Sequence, residues 1–156
     1  MFKGIKHISL IVVIFLFLGI GIYYTQFSTS EIVTNISLKP NDTPTINLGG
    51  SVYAKNCASC HGANLEGQIN WRQRDSNGYL PAPPHDESGH TWHHSDQYLF
   101  LMTKYGIEEM IGKRYPNNMP AYKDVLTDDE IIAVLSYIKS TWPEKIKQHH
   151  NSLNSH

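Results

Sequence analysis

Cys57-Ala58-Ser59-Cys60-His61-Gly62 is the stretch from which the rest of the chain can be interpreted. Its two thiols stand three positions apart, and an imidazole follows the second thiol directly. On one helical turn with a short bend after it, both sulfurs can reach the two vinyl groups of a porphyrin while the imidazole faces the iron. The spacing therefore predicts a covalent attachment site for one haem of the c type, with Cys57 and Cys60 as thioether donors and His61 as an iron ligand.

Length and composition allow one domain with appendages, since the chain has 156 residues. The formal net charge is −1, charged residues make up 17% of the chain, and lysines and arginines are scattered without a basic stripe. We therefore expect no nucleic-acid partner. Both cysteines lie in the motif, so the sequence allows no disulfide other than a Cys57–Cys60 bridge.

The amino-terminal residues predict a membrane segment. Residues 1–7 carry two lysines, and residues 8–24 form an almost unbroken apolar run. As a helix this run spans roughly 25 Å, near the lower limit for crossing a bilayer. Lysines ahead of such a run favour a cytoplasmic amino end, so we expect a single-pass anchor with the remaining chain on the periplasmic or extracytoplasmic side. The alternative is a signal peptide cleaved near Ser28-Thr29-Ser30, which offers small residues at a suitable distance.

Composition predicts three further segments. Residues 25–45 are rich in Ser, Thr, Asn, Asp and Pro without a sustained period, which is typical of a flexible linker. The compact domain is expected over residues 46–143, with Ser51 as the N-cap of a short helix that leads to Cys57. Residues 144–156 are polar and predict a frayed tail.

Two helices have clear start signals. Ser95 is a good N-cap for a helix closed by Gly106, and Thr127 with Glu130 forms a capping box for a helix that ends near Pro143. The apolar faces are expected at Tyr98, Leu101, Met102 and Tyr105 in the first helix, and at Ile131, Val134, Leu135, Ile138 and Trp142 in the second. No segment alternates with the period of a strand. The fold class is therefore mostly α, a small helical domain wrapped around a covalent haem.

The iron ligands can be sought in the two irregular stretches. Residues 62–94 form a long loop, which a large planar cofactor would explain because the chain can wrap around it. The second ring nitrogen of His61 needs an acceptor, and the rigid backbone at Pro83 offers a carbonyl. Met119 lies in a polar loop before a proline and is the preferred sixth ligand, in competition with Met102 and Met110. Ligation by histidine and methionine suits electron transfer.

The long loop holds other candidate side chains. Trp71 and Arg72 could bind haem propionates through their N–H groups, although a solvated arginine is an equal alternative. Four histidines follow at positions 85, 90, 93 and 94, with Asp86 and Glu87 beside them. Imidazoles with a carboxylate suit copper or zinc. The alternative for His85, His90, His93 and His94 is that they cap loop backbone, bind propionates or face solvent.

The haem motif, the loop Met119-Pro120-Ala121-Tyr122 and the last helix from Leu126 to Ile138 resemble the class I monohaem cytochromes c of bacteria. The resemblance covers residues 48–142. It implies that the first and last helices cross, and that the protein is an electron carrier. The crossing is expected where Gly50 and Tyr53 meet Leu135 and Tyr137. The insertion between residues 67 and 95 is similar to that of some membrane-anchored bacterial cytochromes.

The preferred function is therefore single-electron transfer between redox protein partners, without catalysis of bond chemistry. A thiol–disulfide oxidoreductase using Cys57 and Cys60 is a rival, but that chemistry favours a βαβ context, which we do not find. A haem-based sensor is a third possibility. It would need an open iron position and usually an output domain, which we do not expect in this chain.

Overall fold

The computed structural model describes residues 35–154, so the predicted anchor at residues 8–24 and the first part of the predicted linker lie outside the described residues. Six α-helices occur in the described part: α1 Thr43–Asn56, α2 Ala58–His61, α3 Asp96–Tyr105, α4 Ile107–Ile111, α5 Asp128–Ser140 and α6 Glu144–Ser152. A 3-10 turn covers Thr91–His93. Residues 35–154 contain no strand, which confirms the mostly helical fold. None of the helices formed by these residues is long and apolar enough to cross a membrane.

Helices α1 and α5 form the principal packing contact of the domain. Gly49 lies against the backbone of Ala133, and a Cβ at Gly49 would overlap that carbonyl and come within 2.8 Å of the Tyr137 Cβ. The Tyr53 ring packs on the Tyr137 ring with their centroids 5.6 Å apart. The expected helix crossing is therefore present, with Gly49 and Ala133 at its closest point where Gly50 and Leu135 were expected.

The folded unit begins earlier than the composition predicts. Asp42 caps α1 by accepting from the Thr45 N–H at 3.0 Å, so Ser51 lies inside the helix instead of at its N-cap. Ile36 and Leu38 are buried. The linker prediction is therefore wrong for residues 35–45, because apolar side chains spaced two apart dock this segment on the domain despite its polar composition.

The capping signals of the two later helices are confirmed. The Ser95 hydroxyl accepts from the Tyr98 N–H, and Thr127 and Glu130 form the reciprocal capping box. The apolar face predicted for α5 is buried. The face predicted for α3 is wrong, because the side chains that pack inward belong to a neighbouring set with the same helical spacing. That set is Asp96, Leu99, Phe100 and Thr103.

The carboxyl-terminal residues are folded, so the predicted frayed tail is wrong over Glu144–Ser152. The reason is a buried polar cluster centred on Asp96, whose carboxylate lies 3.5 Å from the Lys139 Nζ and 3.6 Å from the His150 Nε2. The same carboxylate accepts from the Leu38 N–H at 2.9 Å. Burial lowers the pKa of Lys139, and burial together with the Lys139 charge lowers the pKa of His150 to about 4. One carboxylate thus connects the amino-terminal segment, α3, α5 and α6.

Candidate haem site

The two cysteines lie at the junction between α1 and α2. The Cys57 N–H donates to the Tyr53 carbonyl at the end of α1, and the Cys57 carbonyl accepts from the His61 N–H at 2.9 Å. Both thiols are free. Burial and, to a smaller extent, the neighbouring Cys60 raise the pKa of Cys57 to about 11. Cys57 is therefore a protonated thiol at neutral pH, whereas a thiol used in disulfide exchange has its pKa lowered.

His61 is buried and its ring is oriented by one hydrogen bond. Its Nδ1 lies 2.8 Å from the Pro83 carbonyl oxygen, as the sequence predicts. A carbonyl can only accept, so Nδ1 carries the proton and the Nε2 lone pair is free. Burial lowers the pKa of His61, and the bond to Pro83 opposes this shift in part. The imidazole is therefore neutral and in the tautomer that a metal requires of Nε2.

The Pro83 carbonyl is held in place by pairing between two parts of the long loop. The Gln68 N–H donates to the Ala82 carbonyl at 2.9 Å, and the Ala82 N–H donates to the Gln68 side chain at 2.8 Å. Gly67 has a φ of 68°. A Cβ there would lie 2.7 Å from the Pro83 carbonyl carbon. A glycine at 67 therefore allows the chain to approach closely enough for Pro83 to reach His61.

His85 lies against His61, which the sequence did not indicate. The two imidazole rings are stacked, with centroids 4.0 Å apart and an angle of 23° between the planes. The His85 Nδ1 shares a hydrogen bond of 2.7 Å with the hydroxyl of Thr91. Burial, followed by the neighbouring His61, lowers the pKa of His85 well below its usual value. His85 therefore belongs to the surroundings of His61 instead of the solvent.

The other three loop histidines lie apart from His61, among aromatic rings. His93 stacks on Trp92 at 3.7 Å between centroids, and His94 stacks on Tyr98 at 4.5 Å. His90 lies 5.1 Å from His93 by the same measure. Across residues 35–154, no group of three or more His, Cys, Asp or Glu side chains is arranged to hold a metal ion. The second metal site considered from the sequence thus has no support in the described residues.

The segment that carries Met119 is held in place by Tyr122, three residues after the methionine. The Tyr122 hydroxyl donates to the Asn56 carbonyl at 2.8 Å, and the Tyr122 N–H donates to the Thr103 carbonyl at 3.1 Å. Burial and the neighbouring thiols raise the pKa of Tyr122. Met119 itself is 39% exposed. The fold therefore brings the base of the Met119 loop to the residue before Cys57.

Trp71 and Arg72 contact each other. The Arg72 guanidinium carbon lies 4.0 Å from the centre of the Trp71 ring, and Arg72 is exposed. A cation over an indole ring at this distance is a favourable contact. The two side chains thus lie together on the surface of the loop.

The donor set fits a covalent haem. Two thiols that form no disulfide lie three residues apart, one at the N-cap of α2 and one within it. A neutral imidazole follows, with its Nε2 unprotonated and its other nitrogen held by a backbone carbonyl. A sequence profile of the cytochrome c family matches residues 46–142, well over half of the chain. The chain belongs to the cytochrome c family. Its cofactor is therefore covalently bound haem c.

One curated relative of this cytochrome is the cbb3-type cytochrome c oxidase subunit FixP of Sinorhizobium medicae (strain WSM419). The two are 24% identical over 114 residues, which is 72% of this chain but 35% of the relative. The cytochrome thus spans about a third of the length of that protein. No solved structure matches it significantly. The family supports electron transfer through the haem.

Proposed function

We propose that this cytochrome is a membrane-tethered electron relay with a His/Met-ligated haem, serving a respiratory or dehydrogenase-linked chain outside the cytoplasm. The observation that carries the proposal is the 2.8 Å hydrogen bond from His61 Nδ1 to the Pro83 carbonyl. It fixes the ring, selects its tautomer and makes the ligand more electron-rich. A ligand fixed in this way need not reorient when the charge on the iron changes, which favours rapid electron exchange.

The residues of the site have distinct roles in this proposal. Cys57 and Cys60 would hold the porphyrin through thioethers, and His61 would supply one nitrogen ligand to the iron. When bound, haem c supplies an iron that takes up and releases one electron. Trp71 and Arg72 are the proposed partners of the propionates, where a cation would offset their charge.

Met119 is the proposed sixth ligand. Pro120 restricts the backbone of Met119 to extended conformations, and Tyr122 holds the chain near the haem-binding cysteines through its 2.8 Å bond to Asn56. Three residues span at most about 10 Å, so this anchor keeps the thioether in the neighbourhood of the site. A methionine ligand raises the reduction potential and closes the iron to small ligands.

Substitution of Met119 tests this assignment. The Met119→Ala holoprotein is expected to keep its covalent haem, to have a lower reduction potential and to bind carbon monoxide when reduced. Met110→Ala and Met102→Ala are matched controls, since both side chains are half-buried on helices. Carbon monoxide binding and potential that stay at the wild-type values in Met119→Ala would place the sixth ligand elsewhere, and a change confined to one of the controls would name it.

The pKa of Cys57, raised to about 11, argues against this residue as the attacking thiol of a disulfide-exchange site. Covalent attachment can be tested directly by haem staining after denaturing electrophoresis, since only thioether-linked haem stays with the chain. The wild type should stain, and Cys57→Ser with Cys60→Ser should not. A chain that does not stain but reduces disulfides would reverse the choice. A sensor is tested by the same carbon monoxide measurement on the wild type, which should not bind it.

The tether and the oxidase link are the remaining parts of the proposal. Residues 8–24 are apolar in sequence, and the curated relative is named as an oxidase subunit. The full chain should remain in membranes washed with alkaline carbonate, whereas a chain starting at residue 25 behind a cleavable export signal should be released. Recovery of terminal-oxidase subunits with the full chain from solubilised membranes would support the oxidase link. Recovery of dehydrogenase subunits alone would favour a dehydrogenase-linked chain.

A further inference from the structure

The stacking of His85 on His61 has no part in the roles described so far. Pro83 holds one edge of the His61 ring, through Nδ1, at 2.8 Å. His85 covers a face of the same ring, with 4.0 Å between the centroids and 23° between the planes. A hydrogen bond at the edge alone still allows the ring to rock about the line through its bonded atoms. A flat group against the face opposes that motion.

His85 is itself held at three points, which a side chain that only fills space does not need. Its N–H donates to the Leu65 carbonyl at 2.8 Å, and its carbonyl accepts from the Trp142 indole N–H at 2.8 Å. Its ring Nδ1 is bonded to the Thr91 hydroxyl at 2.7 Å. Thr91 is buried, and the His85 and Tyr53 rings are steeply inclined to each other, at 73°, with their centroids 6.3 Å apart. Backbone and ring are thus both fixed, so the plane that His85 presents to His61 is fixed as well.

We propose that His85 is a positioning residue that sets the orientation of the His61 ring plane by stacking on it, with Thr91 holding the His85 ring in place. The inference rests on the proposed role of His61 as an iron ligand. In a low-spin ferric haem, the direction of the ligand plane sets how unpaired spin is distributed over the porphyrin. The orientation of the ring is therefore visible in the spectra of the oxidised protein.

The experiment compares variants of the purified full-length holoprotein in the ferric state. His85→Leu removes the flat ring, His85→Phe keeps a flat ring without the Thr91 bond, and Thr91→Val removes that bond alone. Thr103→Val is the matched control, because Thr103 is as buried as Thr91 and its hydroxyl also makes one internal hydrogen bond, to the Leu99 carbonyl. The readouts are the paramagnetic shifts of the haem methyl protons and the largest electron paramagnetic resonance g-value.

His85→Leu is expected to change the spread of the methyl shifts and to broaden the largest g-value feature. Thr91→Val should change both in the same direction by a smaller amount. His85→Phe should lie closer to the wild type than His85→Leu does, and Thr103→Val should superimpose on the wild type. If His85→Leu yields no holoprotein, the comparison of Thr91→Val with Thr103→Val decides in its place.

Three results would overturn the inference: wild-type spectra in His85→Leu, a His85→Phe variant that departs as far as His85→Leu, or equal changes in Thr91→Val and Thr103→Val. Failure of the proposed function has a different signature, since the wild type would then lack a low-spin ferric spectrum, or His61→Gly would leave that spectrum unchanged.

Discussion

Asp96→Asn is the substitution for which the structure predicts the largest effect far from the haem motif. Asp96 is 3% exposed and faces Lys139, which is also 3% exposed, across 3.5 Å. Asparagine has nearly the same shape and keeps an oxygen that can accept from the Leu38 N–H. The change therefore removes one negative charge and leaves a buried ammonium group without its partner.

The expected cost follows from that uncompensated charge. Breaking a buried ion pair by removing one partner costs about 3–5 kcal/mol, against about 5–15 kcal/mol of total stability for a domain. At this chain length, such a loss corresponds to a fall in Tm of roughly 10 °C or more. The second substitution Lys139→Met, added to Asp96→Asn, should restore part of the loss, because it removes the unpaired charge.

Asp128→Asn is the control. Asp128 is the first residue of α5 as Asp96 is of α3, so the interaction with the helix dipole is common to both. Its partner Lys104 lies at 2.6 Å, but the two side chains are 39% and 19% exposed. A pair of this kind is worth about 1 kcal/mol or less. Urea unfolding of the holoproteins, followed by far-ultraviolet circular dichroism, measures both. Equal losses in Asp96→Asn and Asp128→Asn, or no recovery with Lys139→Met, would refute the reasoning.

Three further predictions concern other parts of the domain. Gly49→Ala should destabilise the protein by about 1–3 kcal/mol, because the added methyl group overlaps the Ala133 carbonyl. Gly50→Ala should instead stabilise it by up to about 1 kcal/mol in the same urea assay, because its methyl group lies at ordinary contact distances. His150 is fully buried and its pKa is lowered to about 4 from 6.5. As the pH falls, the unfolded chain therefore takes up the proton first, and the free energy of unfolding should decrease between about pH 6.5 and 4 by on the order of 3 kcal/mol. A His150→Gln variant with the same dependence of stability on pH as the wild type would contradict this. Tyr122→Phe removes the bond to α1 and should cost about 1–2 kcal/mol of stability. Because it loosens the base of the Met119 loop, the reduced variant should bind carbon monoxide, which the wild type should not. A variant that binds none would show that the loop is held by other contacts.

The sequence predicts best those features that depend on neighbours along the chain. Ser95, Thr127 and Glu130 mark helix starts because their side chains bond to N–H groups three residues away. The His61–Pro83 hydrogen bond was predictable for a related reason. A buried ligand needs an acceptor for its second nitrogen, and a rigid proline-rich segment is a good place to find a free carbonyl.

The sequence predicts poorly those features that depend on tertiary contact. The segment before α1 and the residues of α6 have polar compositions, yet Leu38 and His150 are both buried. They are buried because a single carboxylate, Asp96, receives an N–H from one segment and lies beside the imidazole of the other. Composition cannot reveal such a partner, since Asp96 is more than fifty residues away in sequence from both Leu38 and His150. The apolar face of α3 was misplaced for the same reason, because it is Asp96 that turns inward.

The insertion between Gly67 and Ser95 is therefore part of the site and not an appendage to it. Pro83 and His85 lie two residues apart and contact the edge and the face of His61, respectively. The carbonyl of His85 accepts from the Trp142 indole at 2.8 Å, just after the end of α5. Helix α5 also packs on α1, and α1 leads directly into Cys57. His61 is therefore connected to the α5 region by two routes, one through His85 and Trp142 and the other through α1 and Cys57. A substitution at Trp142 should therefore disturb the backbone of His85 and, through the stacked rings, the orientation of His61.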